Sequence, residues 1–162
     1  MRIYPNDEQR YKIDVTLGHC RYIYNKMLER NTVIYKRRKE HLNYYAMQNL
    51  LPEMKEYLPW LKEADSQALK YTCRQLNNAF DRFFKKLGSY PKFHTKHGKQ
   101  SYTTTNTSVI RIEPHRVKLP CLGWVRTPET RIPNGNICYA TISREADERY
   151  YVSITYKKEI PD

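Results

Sequence analysis

Leu69, Cys73, Leu76, Phe80, Phe83, Phe84 and Leu87 recur at steps of three and four for about five helical turns. That period lines one face of a helix; a strand would need a period of two. Asp65 or Ser66 offers the N-cap of this helix and Gly88 a stop. A helix with one apolar face must bury it against other elements, so the chain has to supply partners for it. Leu69, Leu76, Phe80 and Phe84 are expected to be mostly buried.

The partners precede it. Asn6 and Gln9 stand at capping-box spacing, after a short strand candidate at residues 1–5 that Pro5 ends. Ile13, Leu17, Tyr24, Met27 and Leu28 then share a helix face, and Gly18, inside that pattern, is a candidate break into two helices. Lys36-Arg37-Arg38-Lys39 suits its C-terminus. A second helix is expected from Asn43 to about Tyr57, with Met47, Leu50, Leu51 and Met54 as its apolar stripe and Pro52 either interrupting it or lying near its start. Pro59-Trp60 belongs to a connector.

After Ser101 the texture changes to short Thr- and Val-rich runs. Strands are expected at 109–112, 116–119, 124–126, 137–144 and 150–156. Turns fall at Pro120 to Gly123, Pro133-Asn134-Gly135 and Glu145-Ala146-Asp147-Glu148. The last two strands read as a hairpin, with Ala140 and Ile142, then Tyr151, Ser153 and Thr155, in alternation. Closure removes exposed edges, so a small β-barrel is expected rather than an open sheet. The fold class is α+β.

A net charge of +12 on 162 residues calls for a polyanionic partner. Nucleic acid, an anionic membrane surface and a merely solvated surface are the candidates. No stretch has the roughly 18 apolar residues of a membrane span, and the start has no signal-peptide core. No helix combines a basic face with a bulky apolar one, which disfavours the membrane surface. Cys20, Cys73, Cys121 and Cys138 form no C-x-x-C pair and are expected to be buried small hydrophobes.

Charge concentrates between the two textures. From Arg82 to Arg111 there is no acid. Arg82, Lys85, Lys86, Lys92, Lys96 and Lys99 are candidates for nucleic-acid backbone contact, with Tyr90, Phe93 and Tyr102 interleaved. A solvated linker is the alternative. The hydroxyl-rich run Ser101 to Ser108 can touch phosphates or base edges, or form an edge strand. Tyr44 and Tyr45 begin a helix and can face nucleic acid or the core.

No catalytic constellation is legible. P-loop, H-E-x-x-H and G-x-S-x-G strings are absent. His94 and His97 lack a carboxylate or thiol to complete a metal site. Glu145, Asp147 and Glu148 share one turn and read as a solubilising tip, not as a two-metal centre. No cofactor or metal is expected in this chain.

Five strings, in order, resemble the N-terminal part of the TnpB/OrfB insertion-sequence family of RNA-guided nucleases. Arg2-Ile3-Tyr4-Pro5-Asn6 with Gln9 looks like the family's opening. Cys20-Arg21-Tyr22-Ile23-Tyr24-Asn25 is similar to its C-R-F-V-Y-N run. Trp60-Leu61 with Ser66-Gln67-Ala68-Leu69 resembles its W-L…S-Q-A-L segment. Phe83-Phe84 with Tyr90-Pro91-Lys92-Phe93 resembles F-F…G-x-P-R-F, and Leu119 to Val125 resembles L-P-K-L-G-W-V.

The resemblance implies a wedge-like β-barrel from residues 1–5 and 89–160, with a helical, helix-turn-helix-like recognition domain inserted at 6–88. It implies as partners a guide RNA and the double-stranded DNA beside the target, in a prokaryotic cytoplasm and at the nucleoid when DNA-bound. The positions that line up with the family's DNA-motif readers are Tyr44, Gln48, Ser66, Lys70 and Thr107; several differ in residue type from the family's. The family's catalytic Asp lies in an I-D-x-G string after the strand matching Tyr151–Tyr156. Nothing matches it, and the role is not carried onto Asp162. A stand-alone helix-turn-helix regulator of transposition, reading DNA without RNA, is the alternative.

Overall fold

The computed structural model describes residues 1–133 and 135–157. Asn134 of the expected turn, and Asp162, lie outside the described residues. The order is β1 (Arg2–Ile3), α1 (Asp7–Arg38), α2 (Tyr44–Tyr57), a 3-10 turn (Pro59–Glu63) and α3 (Ser66–Phe84). Then come β2 (Gln100–Thr104), β3 (Arg111–Glu113), β4 (Arg116–Leu119), β5 (Gly123–Arg126), β6 (Asn136–Arg144) and β7 (Tyr150–Lys157). The class is α+β. By contact density the chain divides into two compact units, Met1–Leu17 with His97–Asp162, and Gly18–Lys96.

In the first unit the capping box forms: Gln9 N–H donates to Asn6 Oδ1 at 2.8 Å and Asn6 N–H to Gln9 Oε1 at 2.9 Å. The same Gln9 amide donates to the carbonyls of Leu122 and Trp124, at 3.1 and 2.8 Å, tying the start of α1 to β5 and its turn. The strands are all antiparallel and make two sheets, ordered β1-β7-β6-β2 and β3-β4-β5. A single bridge, Tyr4 to Arg126, links them.

The expected closed barrel is therefore corrected: none forms among the described residues. Between β2 and β3 the chain folds into successive tight turns, with Thr107 N–H on the Thr105 carbonyl and Ile110 N–H on that of Thr107. β3 is thus not delivered to the edge of β2. The expected hairpin forms between β6 and β7, and its register decides which residues face inward. Ile142 pairs with Val152 and Ala140 with Ile154, so Tyr150 and Val152 are buried, while Tyr151, Ser153 and Thr155 take the other face.

α1 passes through Gly18 unbroken, so the candidate break is not used. One helical glycine costs only about 0.5–1 kcal/mol relative to alanine, and buried Cys20, Ile23, Tyr24, Met27 and Leu28 hold the turns that follow. α2 is capped by Asn43, whose side chain accepts from Ala46 N–H at 2.9 Å. Pro52 stays inside α2 and only removes the N–H that would bond the Gln48 carbonyl. Asp65 caps α3, accepting from Gln67 N–H at 2.9 Å.

The α3 stripe is buried through Leu69, Cys73, Leu76 and Phe80, but Phe84 is 40% exposed and Leu87 67%. The helix ends at Phe84, and not at Gly88. Lys86, at φ 60°, takes the left-handed position; its N–H bonds the Phe83 carbonyl and Leu87 N–H bonds that of Arg82. This is a Schellman turn with lysine where glycine is usual. Cys20 and Cys73 are buried, and burial pushes both thiols up to about 12. Cys121 and Cys138 are exposed, contrary to expectation: one sits at φ 66° in the β4–β5 turn, the other on an outward position of β6.

Candidate nucleic-acid interface

Four of the five candidate motif readers lie on neighbouring helices of the second unit. Tyr44 and Gln48 are one turn apart on α2; Ser66 and Lys70 are one turn apart on α3. Two observations bring the rows together. The Arg74 guanidinium lies 4.3 Å from the centroid of the Tyr44 ring. At the other end, the Lys55 ammonium is held below its ordinary value, first by burial and then by the charge of Lys70. Lys62 acts in the same sense and Asp65 opposes both.

The start of α2 thus meets the middle of α3. By helical spacing Tyr44, Gln48 and Lys55 share one face of α2, and Ser66, Lys70 and Arg74 one face of α3. Arg74 and Lys55 were not among the expected readers. Arg74 continues the i, i+4 series of Ser66 and Lys70, a signal present in the sequence. Nothing in the sequence places Lys55 near Lys70. The face carries a phenol, an amide, a hydroxyl and three cations, groups that donate to base edges and phosphates.

Thr107 lies in the first unit, half-buried in the turn after β2. Much of its hydroxyl-rich run is used internally. Thr103 Oγ1 is 2.8 Å from Thr141 Oγ1, and Thr104 Oγ1 accepts from Asn106 N–H at 3.3 Å. The edge-strand alternative holds for residues 100–104, which form β2 at the end of its sheet.

The basic stretch is no loose linker over residues 90–94. Tyr90 and Thr32 hydroxyls are 2.8 Å apart. Asn25 accepts from the His94 N–H at 2.8 Å and donates to its carbonyl at 3.0 Å. The His94 ring stacks on Tyr24, with centroids 3.7 Å apart and planes 10° apart. Burial there lowers the His94 pKa. The Tyr24-Asn25 pair thereby straps this segment along α1, leaving Lys92 and Phe93 exposed.

Arg82, Lys85, Lys86 and Lys96 are exposed in the same unit. Arg82 also donates to the Leu87 carbonyl at 3.4 Å. Lys99 belongs to the first unit, where its ammonium is 3.5 Å from Glu145. Glu145 therefore competes with a phosphate for the Lys99 ammonium. The acids of the hairpin tip are all matched to cations: Glu145 to Lys99, Glu148 to Arg144 and Asp147 to Arg149. No helix among the described residues is long and apolar enough to cross a membrane.

Comparison with known proteins gives a consistent picture. A family model described as a helix-turn-helix domain, of the OrfB/IS605 type, matches residues 1–40. In this structure those residues hold β1 and α1. The chain is 27% identical over 158 residues to "Putative RNA-guided DNA endonuclease InsQ" of Escherichia coli (strain K12), covering 96% of this chain and 39% of that protein. It is 30% identical over 167 residues to "Putative RNA-guided DNA endonuclease" of Streptomyces pristinaespiralis, covering 94% of this chain and 39% of that protein. The chain thus spans about two fifths of the length of the curated relatives it matches. It is a homologue of the N-terminal part of the TnpB/OrfB family of RNA-guided DNA endonucleases, with an OrfB-type helix-turn-helix domain at its N-terminus.

Proposed function

We propose that this chain is the part of an RNA-guided DNA endonuclease that holds the guide RNA and reads a short duplex motif beside the target. The observation that carries this reading is the polar face shared by α2 and α3, joined by the Arg74 guanidinium over the Tyr44 ring. Tyr44, Gln48, Ser66 and Lys70 are the proposed motif readers, with Thr107 contributing from the first unit. Arg82, Lys85, Lys86, Lys92 and Lys96 are the proposed backbone contacts, and Lys99 a weaker one because of Glu145. Cleavage is assigned to no residue of this chain.

The test is binding of the 162-residue chain to single-stranded RNA and to a randomised duplex library over a salt series. Affinity for both should fall steeply as salt rises, and both should remain uncut in Mg²⁺ or Mn²⁺. A preferred duplex motif that appears only with RNA bound supports the guided reading. A palindromic preference without RNA, from a homodimer, would instead establish the stand-alone regulator. Metal-dependent cleavage would overturn the division of labour.

A further inference from the structure

The second unit holds a recess of about 480 Å³ along α1, away from the residues assigned above to motif reading. Trp60, Tyr22 and Phe93 are among its walls, Arg21 and Lys26 among its polar lining, and Gly18 also lines it. Trp60 is held from two sides. Tyr22 meets it edge-on at 5.0 Å and 76°, and His19, one turn earlier on α1, packs on it at 4.8 Å. Its plane is therefore fixed before anything binds. Phe93 stands 59% exposed on the segment that Asn25 straps to α1.

Gly18 is not there for close packing. A Cβ at this position would meet only the Arg21 guanidinium, at an ordinary 3.8 Å. The helix carries a glycine it does not need sterically, and the recess is wider by a methyl group. The charge is cationic on balance. Lys26 is 3.7 Å from Glu29, which offsets it, while Arg21 adds a further positive charge.

A tryptophan ring packed by two neighbours, with an exposed phenylalanine and an arginine in the same recess, suits a flat π-system attached to an anion. The volume lies within the roughly 300–1,000 Å³ of small-ligand sites. We propose that this recess takes one unpaired base of a single-stranded RNA, stacked on the Trp60 and Phe93 rings, with the adjoining phosphate on Arg21. This rests on the nucleic-acid-binding reading above, and it adds a base-accepting site to that reading.

The experiment uses Trp60 as reporter in a Trp124→Phe background, since these are the two tryptophans of the chain. The probes are a ten-nucleotide single-stranded RNA, a duplex RNA of equal length and adenosine monophosphate. Single-stranded RNA should quench Trp60 saturably, and the other two should not at matched concentration. Phe93→Ala and Gly18→Leu should each weaken single-strand binding about tenfold and abolish the quench. Thermal melts of both variants verify folding, and Arg21→Gln supplies a third reading if either fails to fold. Salt-sensitive RNA binding with no Trp60 response, or with unchanged affinity in the variants, overturns this site and leaves the general reading intact. No RNA binding at all overturns both. Equal quenching by duplex overturns the unpaired base, and saturation by the mononucleotide at equal affinity overturns the strand.

Discussion

The Arg74 guanidinium lies over the Tyr44 ring, 4.3 Å from its centroid, and so joins the first turn of α2 to the middle of α3. Contacts of this kind at exposed positions are worth about 0.5–1 kcal/mol. That is enough to orient the guanidinium without immobilising it. Gln48 and Lys70 lie along the same pair of helices.

Base readers and backbone contacts should separate by sequence dependence. Replacing Gln48, Lys70 or Arg74 with alanine should change which duplex motif is preferred, by about 1–3 kcal/mol for each lost bidentate contact. Lys92→Ala or Lys85→Ala should weaken all duplexes alike and reduce the salt slope by about one. Selection from a randomised duplex library, repeated at three salt concentrations, measures both. Variants of Gln48, Lys70 and Arg74 that all keep the parent preference would remove the motif-reading assignment from this face.

Lys86 holds the left-handed turn that ends α3, at φ 60°. For a residue with a Cβ this conformation costs about 1–2 kcal/mol, and glycine avoids most of it. Lys86→Gly should therefore raise stability by about 1 kcal/mol while weakening polyanion binding by a single contact. Urea denaturation and a salt titration on the same variant check the two effects. A loss of stability would mean that the lysine side chain contributes packing that outweighs its backbone strain.

Phe80 is fully buried and meets His41, Phe84 and Tyr90 at ring distances of 5.8, 6.2 and 5.5 Å. Phe80→Ala should cost about 3–5 kcal/mol. Phe84 touches the same cluster but is 40% exposed, so Phe84→Ala should cost distinctly less. Equal losses in denaturant midpoint would show that α3 buries its last turn after all.

Periodicity and spacing made α3, the capping box and most strands legible, because each depends on residues close in sequence. The Asn6–Gln9 box formed as spaced, and β4 coincides with residues 116–119. What failed depends on distant partners or on backbone state. The α3 stop was assigned to Gly88 because glycine favours left-handed turns, yet Lys86 takes that position. Barrel closure failed because residues 105–110 turn back on themselves. Lys99 reads in the sequence as one more exposed cation, and only the fold brings Glu145, distant in the chain, to 3.5 Å from its ammonium. The Trp60 recess was hidden because it is assembled from α1, a connector and a strap that no single motif spans.

Burial lowers the pKa of His94 below the usual value near 6.5, and that of His19 likewise, with Glu63 partly opposing at His19. For a histidine lowered in the folded state, the unfolded chain binds more protons between the two pKa values. Stability must then fall as pH drops from 6.5 toward the folded values. His94→Phe keeps an aromatic ring on Tyr24 and removes one titrating group. Its melting temperature should decline less than the parent's between pH 7 and pH 5. An unchanged pH profile in the variant would show that the imidazole is not desolvated by this stack.

Tyr150 is buried in the first unit and donates its hydroxyl to Asp14 Oδ1 at 2.9 Å. Burial, followed by this hydrogen bond and the Asp14 charge, pushes its phenol up to about 12. Arg144, 3.7 Å from Asp14, pulls the other way but is shared with Glu148. An unfolded tyrosine ionises near pH 10. Above that pH the unfolded chain loses a proton that the folded chain keeps, so this contribution is complete below pH 10 and disappears as pH rises toward 12. Tyr150→Phe should cost about 1 kcal/mol at pH 7, because Asp14 retains Arg144 and solvent. It should also flatten the alkaline fall in stability. Asp14→Asn should lower the phenol pKa by removing the adjacent negative charge, and a Tyr150→Phe, Asp14→Asn double-mutant cycle isolates the coupling. Additive losses, with an alkaline limb unchanged in Tyr150→Phe, would mean that the two side chains are neighbours without being energetically linked.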